Sequence, residues 1–595
     1  MLASPFVVLL VSSAAALAAG NPTFPTRYHV KGSIILPSGQ IIEPYEAWVD
    51  LTKGSSRIDY HGGMAKVINL QGTGAYGTVF KVVPLLEVPE HCFQVDGVEG
   101  GKVTPQPLLP DISKYIYAGQ SKIPNTNISA DLYVYFYSMT KGAKNNTYVM
   151  YMDTTTKLPI AFYFLGYDKL FGSHYDQYYF TYEFMSANFD DSIFEYYSKF
   201  NCTGFPGPGL THPMHFNPVF EMLGTPEHSE EDKHSQFRSE FEDFKVKHGK
   251  QYKDDKEHFE RENTFRSNYR MINSHNRKGK TYTLAVNHLA DMSKEERRRA
   301  GYRSVRVCVC VCACACLGTR LCSVHVCGCK GFSAGVETCF SHHLSIHTHK
   351  RTPHRYSAEA RAAFPSLPYT PSGKAAPPSM DWRLHGAVSR VKDQGICGSC
   401  WSFGTVGTLE GSYYLKHHLL VEFSEQALMD CSWKYGNNAC DGGEDFRAYQ
   451  YIMDHGCLPR EDHYGPYLMQ DGMCHADQAG CGVSISNFTL LPSGNEAALI
   501  DAIANVGPIS VAIDASLETF GFYANGVYYD DNCKNGTESL DHAVLAVGYG
   551  TLNGKDYWLV KNSWSTNWGD QGYILMSRRN NNCGVATAPS YAIVN

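Results

Sequence analysis

Alternation with a period of two governs the first third of the chain. Tyr28-His29-Val30-Lys31-Gly32-Ser33-Ile34-Ile35, Leu132-Tyr133-Val134-Tyr135-Phe136-Tyr137 and Ala161-Phe162-Tyr163-Phe164 set aromatic and β-branched residues in strand-like runs separated by Gly, Asn, Asp and Lys turns. Residues 21–204 therefore read as a β-rich domain, an antiparallel sheet or partial barrel. Its tyrosines read as core and cross-strand pairs ahead of a ligand surface, although an unknown ligand (lipid, glycan or protein) stays open as the rival reading. Cys92 and Cys202 are placed to staple it.

The pattern then changes. Phe205-Pro206-Gly207-Pro208-Gly209 opens a linker over 205–227. From 228 the apolar period becomes helical: Phe237, Phe241 and Phe244 predict a helix stopping at Gly249. A second helix carries Glu257, Arg261, Phe265, Asn268, Ile272 and Asn276 on one face. Periodicity is lost over 304–359, where Val307 to Cys316 alternates Cys with Val or Ala and nine cysteines fall between Cys308 and Cys339. Three readings stand, in this order: translated non-coding sequence retained in a gene model, a processed linker, and a thiolate metal site. Residues 360–376 rejoin the preceding region, and a last domain spans 377–595.

Composition narrows the class. At 595 residues the chain is too long for one core, and a net charge of -7 argues against a nucleic-acid partner. Residues 1–19, apolar and ending in small residues around Ala16-Leu17-Ala18, read as a secretory signal, and no later run is long enough to span a membrane. Sequons at Asn127, Asn145, Asn201, Asn487 and Asn535 are candidate glycosylation sites on that route. Nine cysteines from Cys397 to Cys583 imply one free thiol and four disulfides in an oxidising compartment.

The chemistry sits in three strings. Gln394-Gly395-Ile396-Cys397-Gly398-Ser399-Cys400-Trp401 places a thiol where a helix through Leu409 and Tyr413 is predicted to begin. A thiol with pKa near ~8.5 must be held as thiolate to attack an amide, and a helix N-terminus and a histidinium both favour that. His542, in Ser539-Leu540-Asp541-His542-Ala543-Val544, precedes an apolar run that reads as a buried strand. Asn562, in Lys561-Asn562-Ser563-Trp564, offers an amide oxygen to orient the imidazole.

These strings resemble the papain-like cysteine proteases of the cathepsin L-like group. The six-residue helical stripe matches that group's inhibitory propeptide, and Ala285-Val286-Asn287-His288-Leu289-Ala290-Asp291 resembles its second propeptide motif, with Ala and Leu where Gly and Phe are usual. The layout as a whole resembles the subgroup with a β-rich N-terminal domain, counting-factor-associated protein D-like proteins. The resemblance implies an α+β fold: a protease with a helical left domain and a β-barrel-like right domain, after a β-rich domain and a helical propeptide. It implies an endopeptidase with Cys400, His542 and Asn562 catalytic, Gln394 in the oxyanion hole and Trp564 shielding. Substrate would meet Gly442, Gly443, Glu444, Asp445, Ala512, Leu540, Asp541, Ala543 and Ala588. The pocket for the second residue before the scissile bond (P2) would favour hydrophobic side chains, with Glu444 and Asp445 at its rim. Disulfides Cys397–Cys440, Cys431–Cys474 and Cys533–Cys583 follow by similarity, and arithmetic leaves Cys457–Cys481 as a fourth. No metal or cofactor is expected. The partners are peptide or protein substrates and the chain's own propeptide, an intramolecular inhibitor loosened when acid protonates its carboxylates. The location is lysosomal or extracellular.

Overall fold

The computed structural model describes residues 21–37, 41–99, 101–124, 126–138, 144–168, 173–204, 222, 230–299 and 358–595. The signal reading of 1–19, most of the linker and all nine cysteines of the Cys-rich stretch lie outside them. The chain forms two compact units. One runs to Ser293 and takes in 521–528 and 567–570; the other holds 294–520, 529–566 and 571–595.

The first unit is built on a thirteen-stranded sheet. Six strands, from Arg27–Leu36 to His91–Asp96, form one antiparallel meander. Five more, from Ile116–Lys122 to Ser173–Thr181, form another, and the two join where Ile34 pairs with Phe180. The period-two pattern sends Tyr28, Val30, Ile34 and Leu36 inward, into a core shared with Tyr45, Tyr60, Phe162 and Phe180. Tyrosines thus fill this core, their hydroxyls finding partners: Tyr28 accepts from the Leu108 N–H at 2.8 Å and Tyr182 donates to the Leu108 carbonyl at 2.9 Å. A Cys92–Cys202 disulfide closes the end of the domain.

Two helices follow in the same unit. Glu230–His248 ends at Gly249, whose φ of 59° no β-carbon tolerates well. Asp255–Asn276 is capped by Asp254, which accepts from the Glu257 N–H at 2.8 Å. The six-residue stripe explains itself here. Phe265 and Ile272 are buried, and the Phe265 ring lies 5.3 Å from that of Phe241 and 4.9 Å from that of Phe244. The polar members hold the following loop: Arg261 donates to Asp291 O at 3.1 Å, Asn268 to Ala290 O at 2.8 Å, and Asn276 both donates to and accepts from Leu284. That loop presents Tyr282–Leu284 as a strand antiparallel to Tyr523–Tyr528, and Asn287 donates to Gly521 O at 2.9 Å. The second helix is also tied to the sheet domain, by Arg277 on Glu43 and Arg270 on Asp176.

The second unit packs the Cys400–His417 helix against strands Ile509–Ile513, His542–Leu552 and Ser590–Val594. Lys555–Lys561 and Tyr573–Ser577 continue the antiparallel sheet on one side, and Ile485–Leu490 pairs with Ser590–Val594 on the other. The helix is buried through Gly411 because both faces are used, one on the sheet and one on the helices Glu425–Cys431 and Asp445–His455. Gly404 and Gly407 let it approach: a β-carbon at Gly407 would fall 2.7 Å from Leu545.

Candidate active site

Each reactive side chain stands at the end of an element. Cys400 is the first residue of its buried helix, so its sulfur lies at the positive end of the helix dipole. His542 is the first residue of its strand, paired with Ile513, and the next residue, Ala543, directs its backbone N–H at the Cys400 sulfur. Asn562 directly follows the Lys555–Lys561 strand. Its Oδ1 lies 2.7 Å from His542 Nε2, while His542 Nδ1, also buried, has no hydrogen-bond partner. This bond fixes the ring so that Nδ1 is the nitrogen left for proton transfer. The Trp564 ring covers the imidazole, centroids 4.8 Å apart, and Phe520 meets both edge-on.

Gln394 is held on the same side. Its Oε1 accepts from Ser563 Oγ at 2.6 Å, its Nε2 donates to Cys397 O at 2.8 Å, and its backbone N–H donates to Ser563 O at 2.8 Å.

Cys400 and His542 are both 0% exposed. Burial pushes the thiol up to about 12, helped by the charge of Asp541 and opposed by the Ala543 N–H. Burial pushes the imidazole down to about 4, opposed by the Asn562 bond. The dominant cause in each case is loss of water, which disfavours the charged form of both groups.

Residues assigned by resemblance to substrate fall around this centre. Gly442 sits at a φ of 112°, and a β-carbon on Gly443 would meet the Trp401 ring at 2.6 Å, so both positions need glycine. Ala512, Leu540, Ala543 and Ala588 belong to the same buried cluster as Cys400, while Asp541 accepts from the Ala515 N–H at 2.8 Å. Glu444 and Asp445 differ from expectation. Neither is at a rim: both are buried, Glu444 paired with Arg447 at 2.5 Å and Asp445 bonded to the hydroxyls of Ser510 and Ser590.

The disulfides present here are Cys397–Cys440, Cys431–Cys474 and Cys533–Cys583. Cys457 and Cys481 do not form the fourth bridge that arithmetic suggested. The Leu458–Val483 bridge brings the two thiols side by side, yet both are free, and burial with the Cys481 contact pushes Cys457 up to about 12. Of the five sequon asparagines, Asn127, Asn201 and Asn535 are exposed, whereas Asn145 and Asn487 are half-buried.

Sequence reading missed a buried ion cluster beneath Asn562. Lys392 lies 2.8 Å from Glu425, 2.9 Å from Glu461 and 3.6 Å from Glu410, and Lys561 reaches Ser389 Oγ at 3.0 Å. The only hint was a lysine directly before Asn562 at the end of an apolar strand. Among the described residues no His/Cys/Asp/Glu group could hold a metal ion, and no helix is long and apolar enough to cross a membrane.

Residues 376–593 match the family model described as papain family cysteine protease, and 241–296 match the cathepsin propeptide inhibitor domain (I29). The chain is similar to a cathepsin L-like peptidase of Aedes aegypti, 54% identical over 226 residues, which are 38% of this chain and 66% of that one. It is also similar to cathepsin L1 of Drosophila melanogaster, 40% identical over 362 residues, 60% of this chain and 85% of that one. Among solved structures it is similar to digestive procathepsin L 3 of Tenebrio molitor larval midgut, at 35% identity and a TM-score of 0.48, covering 60% of this chain and 99% of that one.

Proposed function

The chain belongs to the papain family of cysteine proteases and carries that family's propeptide, and from that premise we propose that it is a zymogen of an endopeptidase acting through Cys400. The observation that carries this is the His542 Nε2–Asn562 Oδ1 bond, which leaves Nδ1 as the only ring nitrogen able to exchange a proton with the buried thiol.

His542 takes the thiol proton through Nδ1, and the thiolate attacks the scissile carbonyl carbon. The oxyanion that forms is met by the Cys400 backbone N–H and a side-chain N–H of Gln394. The imidazolium returns the proton to the departing amine, leaving an acyl-enzyme, and a water deprotonated by His542 hydrolyses the thioester. Because burial is the main cause of both shifted pKa values, opening the cleft to water moves both groups back towards the pair that can exchange the proton. Gly442 and Gly443 offer backbone to an extended substrate. The small apolar walls Ala512, Leu540, Ala543 and Ala588 favour hydrophobic P2 side chains.

The same reading takes residues 228–303 and 360–376 as the inhibitory propeptide, and the whole as the subgroup with a β-rich N-terminal domain. It also gives the precursor a secretory route to a lysosomal or extracellular destination, with glycans on the exposed sequons. Acid-treated full chain should hydrolyse a fluorogenic dipeptide substrate, and Cys400→Ala and His542→Ala should each abolish this. Turnover that survives Cys400→Ala would refute the assignment.

A further inference from the structure

Glu43 breaks the chemistry of its strand. Ile41, Glu43 and Tyr45 share one face of the strand Ile41–Asp50 and all three are buried, so a carboxylate only 2% exposed stands in a row of core residues. Burying a charge is costly unless it is paired and hydrogen-bonded. From the sheet domain His61 comes within 3.4 Å. The closer partner comes from the propeptide. Arg277, which caps the Asp255–Asn276 helix, donates through both Nε and Nη2, the latter 2.8 Å from Oε2, and its guanidinium lies 5.2 Å from the centre of the Tyr60 ring. Burial alone would raise the Glu43 carboxyl, but the Arg277 and His61 charges and hydrogen bonds overcome it and hold it at about 2. The other titratable groups around the pair are Tyr60, Tyr269 and Lys81. Glu43 therefore stays ionised and paired in mildly acidic solution.

The contact runs along the helix and past its end. Arg270 donates to both oxygens of Asp176, at 2.9 and 3.2 Å, and Met271 packs on the core that holds Tyr45, Tyr60 and Phe180. At Gly279, whose φ is 61°, a β-carbon would fall 2.3 Å from Met64 and 3.3 Å from Pro84 of the sheet domain. Three residues later Tyr282 pairs with Gly526, and a β-carbon on Gly526 would fall 2.9 Å from Leu86 Cδ2. The sheet domain thus meets the chain on both sides of the pairing that joins the propeptide to Tyr523–Tyr528.

We infer that the β-rich domain is a working part of the inhibitor: it seats the propeptide helix through Glu43–Arg277 and Asp176–Arg270, and so holds the strand Tyr282–Leu284 on Tyr523–Tyr528. This rests on the endopeptidase reading above and adds a second component to the regulation of that site. The partner the sheet domain recognises is a helix end with arginines at i and i+7, on one face. Two carboxylates on the sheet and two forked guanidiniums on the helix fix register as well as charge. The dependence is mutual, since the sheet domain without Arg277 keeps a core-facing carboxylate stripped of its closest partner.

The test reads amide hydrogen exchange of Tyr282–Leu284 at neutral pH in the full chain carrying Cys400→Ala, which cannot process itself. Exchange there should quicken about threefold or more in Glu43→Gln and in Arg277→Gln. The double variant should be no faster than the faster single, because either change removes the same contact. Asp176→Asn and Arg270→Gln repeat the cycle at a pair whose side chains are 10% and 11% exposed. That second cycle decides the matter if Glu43→Gln loses protection across the whole sheet. In the chain that keeps Cys400, neutral-pH hydrolysis of a fluorogenic dipeptide should rise by about the same factor, with kcat/KM after acid activation unchanged. Exchange at the parental rate in both pairs, or single effects that simply add, overturns the proposal. Absence of hydrolysis by any chain after acid treatment refutes the endopeptidase reading instead, and the exchange result does not depend on it.

Discussion

At the scale of single residues, burial decides the chemistry of the site and makes it sensitive to pH. His542 falls to about 4 in the folded chain from an ordinary value near 6.5. Between these values the unfolded chain binds a proton that the folded chain refuses. The stabilisation is complete above about pH 6.5 and is lost as pH falls to about 4, amounting to about 3 kcal/mol. Cys400 has the opposite sign: its contribution is complete below about pH 9 and is lost as pH rises towards 12. Thermal melting of the full chain should therefore fall between pH 6.5 and 4, and His542→Gln should flatten that slope by one proton. Gln394→Ala should cut kcat about 10²- to 10³-fold with little change in KM, read from steady-state kinetics of the activated chain. That Cys400, His542 and Asn562 are brought together was legible in the sequence because each lies in a string that resembles the family's. The burial of Glu444 and Asp445 was not, since it depends on serines at 510 and 590 and an arginine at 447 closing around them. The free Cys457 and Cys481 were not either, because counting thiols says nothing about their geometry.

At the scale of elements, periodicity was the reliable guide. Period-two runs became strands of one sheet, and the helical stripe became a helix face whose apolar members are buried and whose polar members grip the loop 284–292. The stripe did not reveal its own purpose: the carbonyls that Arg261, Asn268 and Asn276 bind are far along the chain or in a loop without periodicity. Asn268 is 7% exposed and donates to two carbonyls, Ala290 and Met292. Asn268→Ala removes the buried donor to the Ala290 carbonyl and should cost about 1–3 kcal/mol, measured by denaturant unfolding of the precursor. The buried cluster under Asn562 obeys the same logic more severely. Lys392→Ala removes the ion-pair partner of Glu410 and Glu425, leaving only the more distant charge of Lys561, and should cost about 3–5 kcal/mol in the same assay.

At the scale of the whole molecule, the protein is a protease made with its own inhibitor. The charge of -7 would not have identified it. Three short strings in the protease and one helix face in the propeptide carry the family likeness. The central claim is that Cys400 is an activatable nucleophile held neutral in the precursor. Its most direct test is labelling of the full chain with a peptide-like epoxide before and after acid treatment at about pH 5.5, followed by mass mapping of every cysteine. Slow labelling of the untreated precursor, rapid labelling of Cys400 alone after acid treatment, and none in His542→Ala are the expected results. Equal labelling before and after acid treatment, or reaction centred on Cys457 or Cys481, would contradict the claim.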